Sequence, residues 1–166
     1  MIDHFRMFAA YNSWANGRIY AAAQALGAEG RHRETGAAFG SLHATLNHLP
    51  ATDRIWMKRF TGQGEAPTTL DAVLFDDFAD LTEARVAEDR RIARWIDSLT
   101  PDDLAGVFTY TPISIPEPIS QRLSPCLAHL FNHQTHHRGQ CHMILTTLGQ
   151  PSVVLDLAFF LRSDRA

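Results

Sequence analysis

An all-α four-helix bundle is the fold class that this sequence predicts, and three observations predict it. Four long segments carry apolar residues at helical spacing, one long crossover precedes the last of them, and no repeat or Gly/Ser-rich linker divides the chain. At 166 residues the chain is long enough for one domain, 1–166, to bury a core without disulfide or metal staples.

The first helix is expected from about Ile2 to Leu26, with Phe5, Phe8, Ala9, Asn12, Ala15 and Ile19 on one face. Gly27 stops it, and polar "GAEGRHRETG" follows as loop. The second runs from about Ala37 to Phe60 through Leu42, Leu46, Leu49 and Trp56. Pro50 sits inside it and removes one backbone hydrogen bond, so a kink is expected rather than a break. The third spans about Phe75 to Leu99, with Phe78, Leu81, Ile92, Trp95 and Leu99 on a stripe that Arg85 and Glu88 interrupt. An i,i+3 ion pair at a solvated edge is the expected role of those two charges.

Thr100-Pro101-Asp102-Asp103 has the form of an N-cap, a first-turn proline and acidic residues that open one extra turn. "VFTYTPISIPEPIS" alternates β-branched and aromatic residues, and its three prolines bar a helix; it reads as a long connection carrying one or two short edge strands. The fourth helix is expected to begin at Ser124-Pro125, with Ser124 as N-cap, and to end at Leu148, where Gly149 caps it and Pro151 stops it. The closing "VVLDLAFFLR" is apolar enough to pack back on the bundle.

Composition narrows the function. A net charge of −3 with interspersed signs lacks the basic footprint of a nucleic-acid binder. No apolar run reaches the length of a membrane span, and the start has no signal-peptide core. Cys126 and Cys141 would stand about 22 Å apart along one helix, too far for a disulfide, so a reduced, cytoplasmic protein is expected.

The chemistry concentrates in "HLFNHQTHHRGQ", which holds four of the nine histidines. On a helical wheel with His133 at zero, His137 falls at about +40°, inside the arc of Cys126, Leu130, Ile144 and Leu148, while His133 lies on its border. His129 and His136 fall outside, at about −40° and −60°. The inward pair has i,i+4 spacing, which stacks two imidazoles closely enough to share one metal ion. Two hydrogen-bonded core histidines are the competing reading. A third ligand must come from elsewhere, with His4, His32, His43 and His48 the candidates; His32 reads as a solvated loop residue, and the periodicity of the second helix does not choose between His43 and His48.

Together with "LNHLPATDRIW", "YNSWANGRIY" and "LTTLGQP", this stretch resembles the DinB family over most of the chain. The resemblance implies an up-down-down-up bundle and a divalent metal ion, Zn or Ni foremost, held by three histidines. Carried over by position, these are His48 from the second helix and His133 and His137 from the fourth. Asn12 and Trp14 match the family's first-helix pattern, and a homodimer is a further implication. The departure from the pattern is Pro50, two residues past His48.

Three neutral imidazoles would leave an ion positively charged with open positions for water or substrate, which suits an enzyme. No HExxH motif places a carboxylate base beside the ligands. Asp53 could orient an imidazole or pair with Arg54 or Arg138 at the surface; His136 could act as a base or lie solvated beside the ligands. Cys141 could be a soft fourth ligand or a small core residue. A metal-dependent hydrolase of unknown small-molecule substrate is the leading expectation. A transferase or isomerase using a low-molecular-weight thiol, as relatives of this bundle do, and a non-catalytic metal-binding bundle are the alternatives.

Overall fold

The computed structural model describes residues 1–163. Helix α1 spans Ile2–Ala25, α2 Gly27–His32, α3 Leu42–Thr61, α4 Phe78–Ser98 and α5 Pro101–Ala105. A hairpin of β1 (Val107–Tyr110) and β2 (Ile119–Arg122) follows, then α6 (Leu123–Thr147) and α7 (Leu157–Ser163).

Contacts fix the direction of the four long helices. Arg6, Asn12 and Tyr20 of α1 meet Asp97, Asp89 and Phe78 of α4 in descending order, so those two run antiparallel. Phe8 and Asn12 meet Phe131 and Arg138 of α6 in ascending order, so α1 and α6 are parallel. His48 and Trp56 of α3 meet His137 and His129 of α6, an antiparallel pair. Asp53 and Phe60 of α3 meet Arg85 and Trp95 of α4, a parallel one. The order is therefore up-down-down-up. A parallel α3–α4 pair cannot be joined by a tight turn, and residues 62–77 form the return connection.

The local differences from the sequence reading have simple causes. The polar stretch after Leu26 is not all loop: Gly27, at a φ of 76°, turns the chain into the one-and-a-half-turn α2. Residues 37–41 make a turn instead of opening α3, because Ser41 caps that helix by accepting from the Ala44 N–H at 3.2 Å. At α6 the N-cap is Arg122, without a side-chain cap, so Ser124 lies inside the first turn and is not the cap. Thr100 and Asp103 form a reciprocal capping box that starts α5. The β1–β2 hairpin is antiparallel, with Val107 opposite Arg122 and Tyr110 opposite Ile119.

Helix α3 runs unbroken through Pro50. A proline at that position leaves the carbonyl of Leu46 without its intrahelical donor. The Tyr20 hydroxyl of α1 takes that role, donating to the Leu46 carbonyl at 3.0 Å in the buried interior. Burial pushes the Tyr20 phenol well above its usual range, so it remains a donor.

The core is stratified. One apolar cluster gathers Phe5, Trp56, Met57, Ile92, Leu127 and Leu130. A second, toward the other end, gathers Ile19, Leu42, Leu46, Leu81, Ile144 and Leu145, together with Cys141. Between them lies a buried polar layer. Arg85 pairs with Asp53 at 2.7 Å and with Asp89 at 2.9 Å, and all three side chains are buried. Asn12 and Asn16 donate to Asp89, and Arg138 donates to the side-chain carbonyls of both asparagines. The expectation of a solvated Arg85–Glu88 pair is thus overturned. Arg85 is an interior cation between two carboxylates, and Glu88, also buried, faces Arg91 at 3.0 Å. Helix α7 covers α1 through Phe160, which packs on Tyr11 and Trp14. Among the described residues no helix is long and apolar enough to cross a membrane.

Candidate metal centre

Antiparallel packing of α3 on α6 brings His48 opposite the i,i+4 pair His133 and His137. The Nε2 atoms of His48 and His137 lie 3.2 Å apart, and those of His137 and His133 3.1 Å apart. His48 and His137 are buried, and His133 is half-buried at the rim.

The outer ring nitrogens decide the tautomers. His48 Nδ1–H donates to the carbonyl of Leu70 at 2.6 Å, and His137 Nδ1–H donates to Gln140 Oε1 at 2.7 Å. Both Nε2 atoms are therefore bare acceptors in the neutral rings, facing each other lone pair to lone pair. A proton could relieve that contact, but the surroundings oppose it. Burial, aided by the neighbouring imidazoles, pulls His133 down to about 3. Burial also pulls His137 down to about 4 against the Gln140 hydrogen bond, and lowers His48 against the Leu70 carbonyl. A divalent cation satisfies both lone pairs at once, and His133 Nε2 stands close enough to be its third ligand. Tetrahedral ligation at about 2.0–2.1 Å per bond implies nitrogen separations of about 3.3 Å, and the observed spacing suits it. The donor set fits a metal ion. His48, His133 and His137 are the three side chains that the described residues bring together in this way.

The surroundings hold the imidazoles in place. Phe39 stacks on His48 with centroids 4.1 Å apart and meets His137 edge-on at 5.6 Å. Gln140 uses its other end to donate to His136 Nε2 at 3.2 Å, so one amide links a cluster imidazole to an exposed one. His129 lies between Trp56 and His133, at 5.1 and 5.8 Å between ring centroids.

Other residues singled out in the sequence fall elsewhere. His43 donates through Nε2–H to the Phe75 carbonyl, 2.9 Å away in the α3–α4 connection, and stacks on His32. Asp53 pairs with Arg85 in the polar layer. Asn12 and Arg138 belong to the same layer. Trp14 lies outside it, against Phe159, Phe160 and Arg18. Cys141 is fully buried in the apolar cluster, and burial pushes its thiol up to about 12, as befits a core residue. Leu70, Phe39 and Gln140 are site residues that the sequence reading misses. Only Gln140 carries a usable signal, its i,i+3 spacing from His137 on one helix.

Comparison with known proteins agrees with this architecture. The chain matches the model of the DinB family over residues 1–165. It is also 30% identical, over 162 residues, to the protein named Protein DinB of Bacillus subtilis (strain 168), an alignment covering 91% of this chain and 90% of that protein.

Proposed function

Because the chain belongs to the DinB family, we propose that His48, His133 and His137 hold one divalent ion, Zn or Ni, and that the protein is a metal-dependent hydrolase. The observation that carries this reading is the convergence of three Nε2 atoms whose rings are locked, on two sides, by Leu70 and Gln140. An ion with an open coordination position supplies Lewis acidity, enough to activate water near neutral pH or to polarise a substrate oxygen.

The chain's own residues do the rest. The Leu70 carbonyl and Gln140 orient two imidazoles and raise their basicity toward a cation. Phe39 excludes water from the His48 face. His133 lies at the half-buried rim, so reactants approach from its side. His129 and His136, both exposed and flanking His133 and His137, are the imidazoles positioned to take a proton.

A thiol-dependent transferase is the second reading. The three-histidine cluster includes no carboxylate among the described residues. A cation held by three neutral imidazoles would stabilise a bound thiolate, the activated form of a low-molecular-weight thiol cosubstrate.

Metal analysis of untagged protein tests the centre. About one equivalent of Zn or Ni is expected, lost in His133→Ala; equally low metal in both proteins would remove the reading. Ester, amide and phosphoester panels, run with and without a thiol, then separate the two chemistries. Turnover that survives complete metal removal contradicts both.

A further inference from the structure

A cleft of about 500 Å³ opens between α3, the 62–77 connection and β1. Its wall carries two cations, Lys58 and Arg59, with Thr68, Thr109 and Thr111 among the other residues that line it. The guanidinium of Arg59 lies 4.8 Å from the ring centre of Trp56 and 4.8 Å from that of Tyr110. The Tyr110 ring is itself fixed, because its hydroxyl donates to Gln121 Oε1 at 3.0 Å. Arg59 is thus held between two aromatic faces.

No ion pair among the described residues involves Lys58 or Arg59. Other interior or partly covered arginines here have acceptors: Arg85 has two carboxylates and Arg138 two amide oxygens. Arg59 is held between its two rings with no anionic partner among the described residues. Burial lowers its pKa, with Tyr110 and Cys126 opposing only weakly and no carboxylate to reverse the shift. A planar guanidinium matches carboxylate and phosphate oxygens in pairs, and an adjacent lysine adds a point charge.

The cleft is in line with the histidines. Arg59 follows His48 by eleven residues, about 16 Å along α3 and about 20° around it, and Ile55, between them in sequence, also lines the cleft. Trp56 and His129 bridge the same interval on the α6 side.

We propose that Arg59, with Lys58, forms an anion subsite that binds a carboxylate or phosphate group of an elongated small molecule whose opposite end reaches the three histidines. The link to the histidines rests on the metal reading above, whereas anion binding at Arg59 does not, and the two are tested apart. Tyr110 and Trp56 are positioning residues for the guanidinium.

The probes are inorganic phosphate and succinate, titrated into the full chain labelled with 15N. Trp56 touches Arg59, so its indole resonance should shift on binding while that of Trp14, on the opposite side against α7, should not. Arg59→Gln should weaken the response tenfold or more, and the exposed Lys58→Gln, which disturbs no packing, several-fold. His133→Ala should leave it unchanged. Preference for phosphate or for succinate identifies which anion the site suits. The proposal is overturned if neither probe shifts the Trp56 indole at millimolar concentration, if both cation variants bind as the natural chain does, or if His133→Ala abolishes the response with Arg59 intact. Loss of metal in His133→Ala with anion binding retained upholds the subsite whatever becomes of the hydrolase reading.

Discussion

Replacing Tyr20 by Phe removes one hydroxyl from the interior and nothing else of size. In this chain that hydroxyl donates to the Leu46 carbonyl, which Pro50 has deprived of its helical donor. Leu46 is fully buried, so its carbonyl would find no water, and a buried acceptor left without a partner costs about 1–3 kcal/mol. Taking about 2 kcal/mol, a chain of this size should lose about 4–8 °C in Tm, and its urea midpoint should fall by about 1 M with an unchanged slope. The decisive comparison uses Pro50→Ala as background. The alanine would restore an N–H to the Leu46 carbonyl, so Tyr20→Phe should then cost only the net value of one hydrogen bond, about 0.5–1 kcal/mol. The coupling between the two substitutions should therefore be about 1 kcal/mol or more. Urea titrations of the four chelator-treated proteins measure it, with metal removed so that ligand linkage does not enter. Equal costs of Tyr20→Phe in both backgrounds would refute the reasoning.

Gln140→Leu should lower metal affinity about tenfold or more in chelator competition, because His137 loses the acceptor that fixes its Nδ1–H; affinity equal to the natural chain would contradict that role. Arg85→Met leaves Asp53 and Asp89 buried without their cation and should cost about 3–5 kcal/mol, part of it recovered by adding Asp53→Asn, as urea midpoints would report. The metal-free protein should lose stability on acidification through its histidines. Their ordinary value is 6.5, whereas folding holds His133 at about 3 and His137 at about 4, so in that window the unfolded chain binds more protons. The contribution is fully present above about pH 6.5 and declines as pH falls toward 3; a His133→Ala/His137→Ala chain should show a shallower slope over that range, and an identical slope would refute it.

Much of the fold is legible because amphipathic spacing survives in four long segments, and the hairpin because three prolines forbid a helix there. The helical wheel separates His133 and His137 from His129 and His136 by local geometry alone, since all four share one helix. It does not choose His48 over His43, because that choice depends on how α3 sits against α6. The polar layer escapes for the same reason. Arg85 reads as a surface residue until Asp53, from 32 positions away, closes on it. Leu70 contributes through its backbone carbonyl, which no residue type signals.

That carbonyl has a wider consequence. The 62–77 connection touches the histidines through Leu70 and walls the Arg59 cleft through Ala66, Pro67 and Thr68. One segment therefore belongs to both places, and thermodynamic reciprocity governs it: whatever factor by which the seated connection tightens ion binding is the factor by which an ion stabilises the seated connection. Insertions or cleavage within residues 62–77 become a way to tune the ion's affinity without altering any ligand, and protection of that segment from protease becomes a gauge of occupancy that requires no knowledge of the substrate.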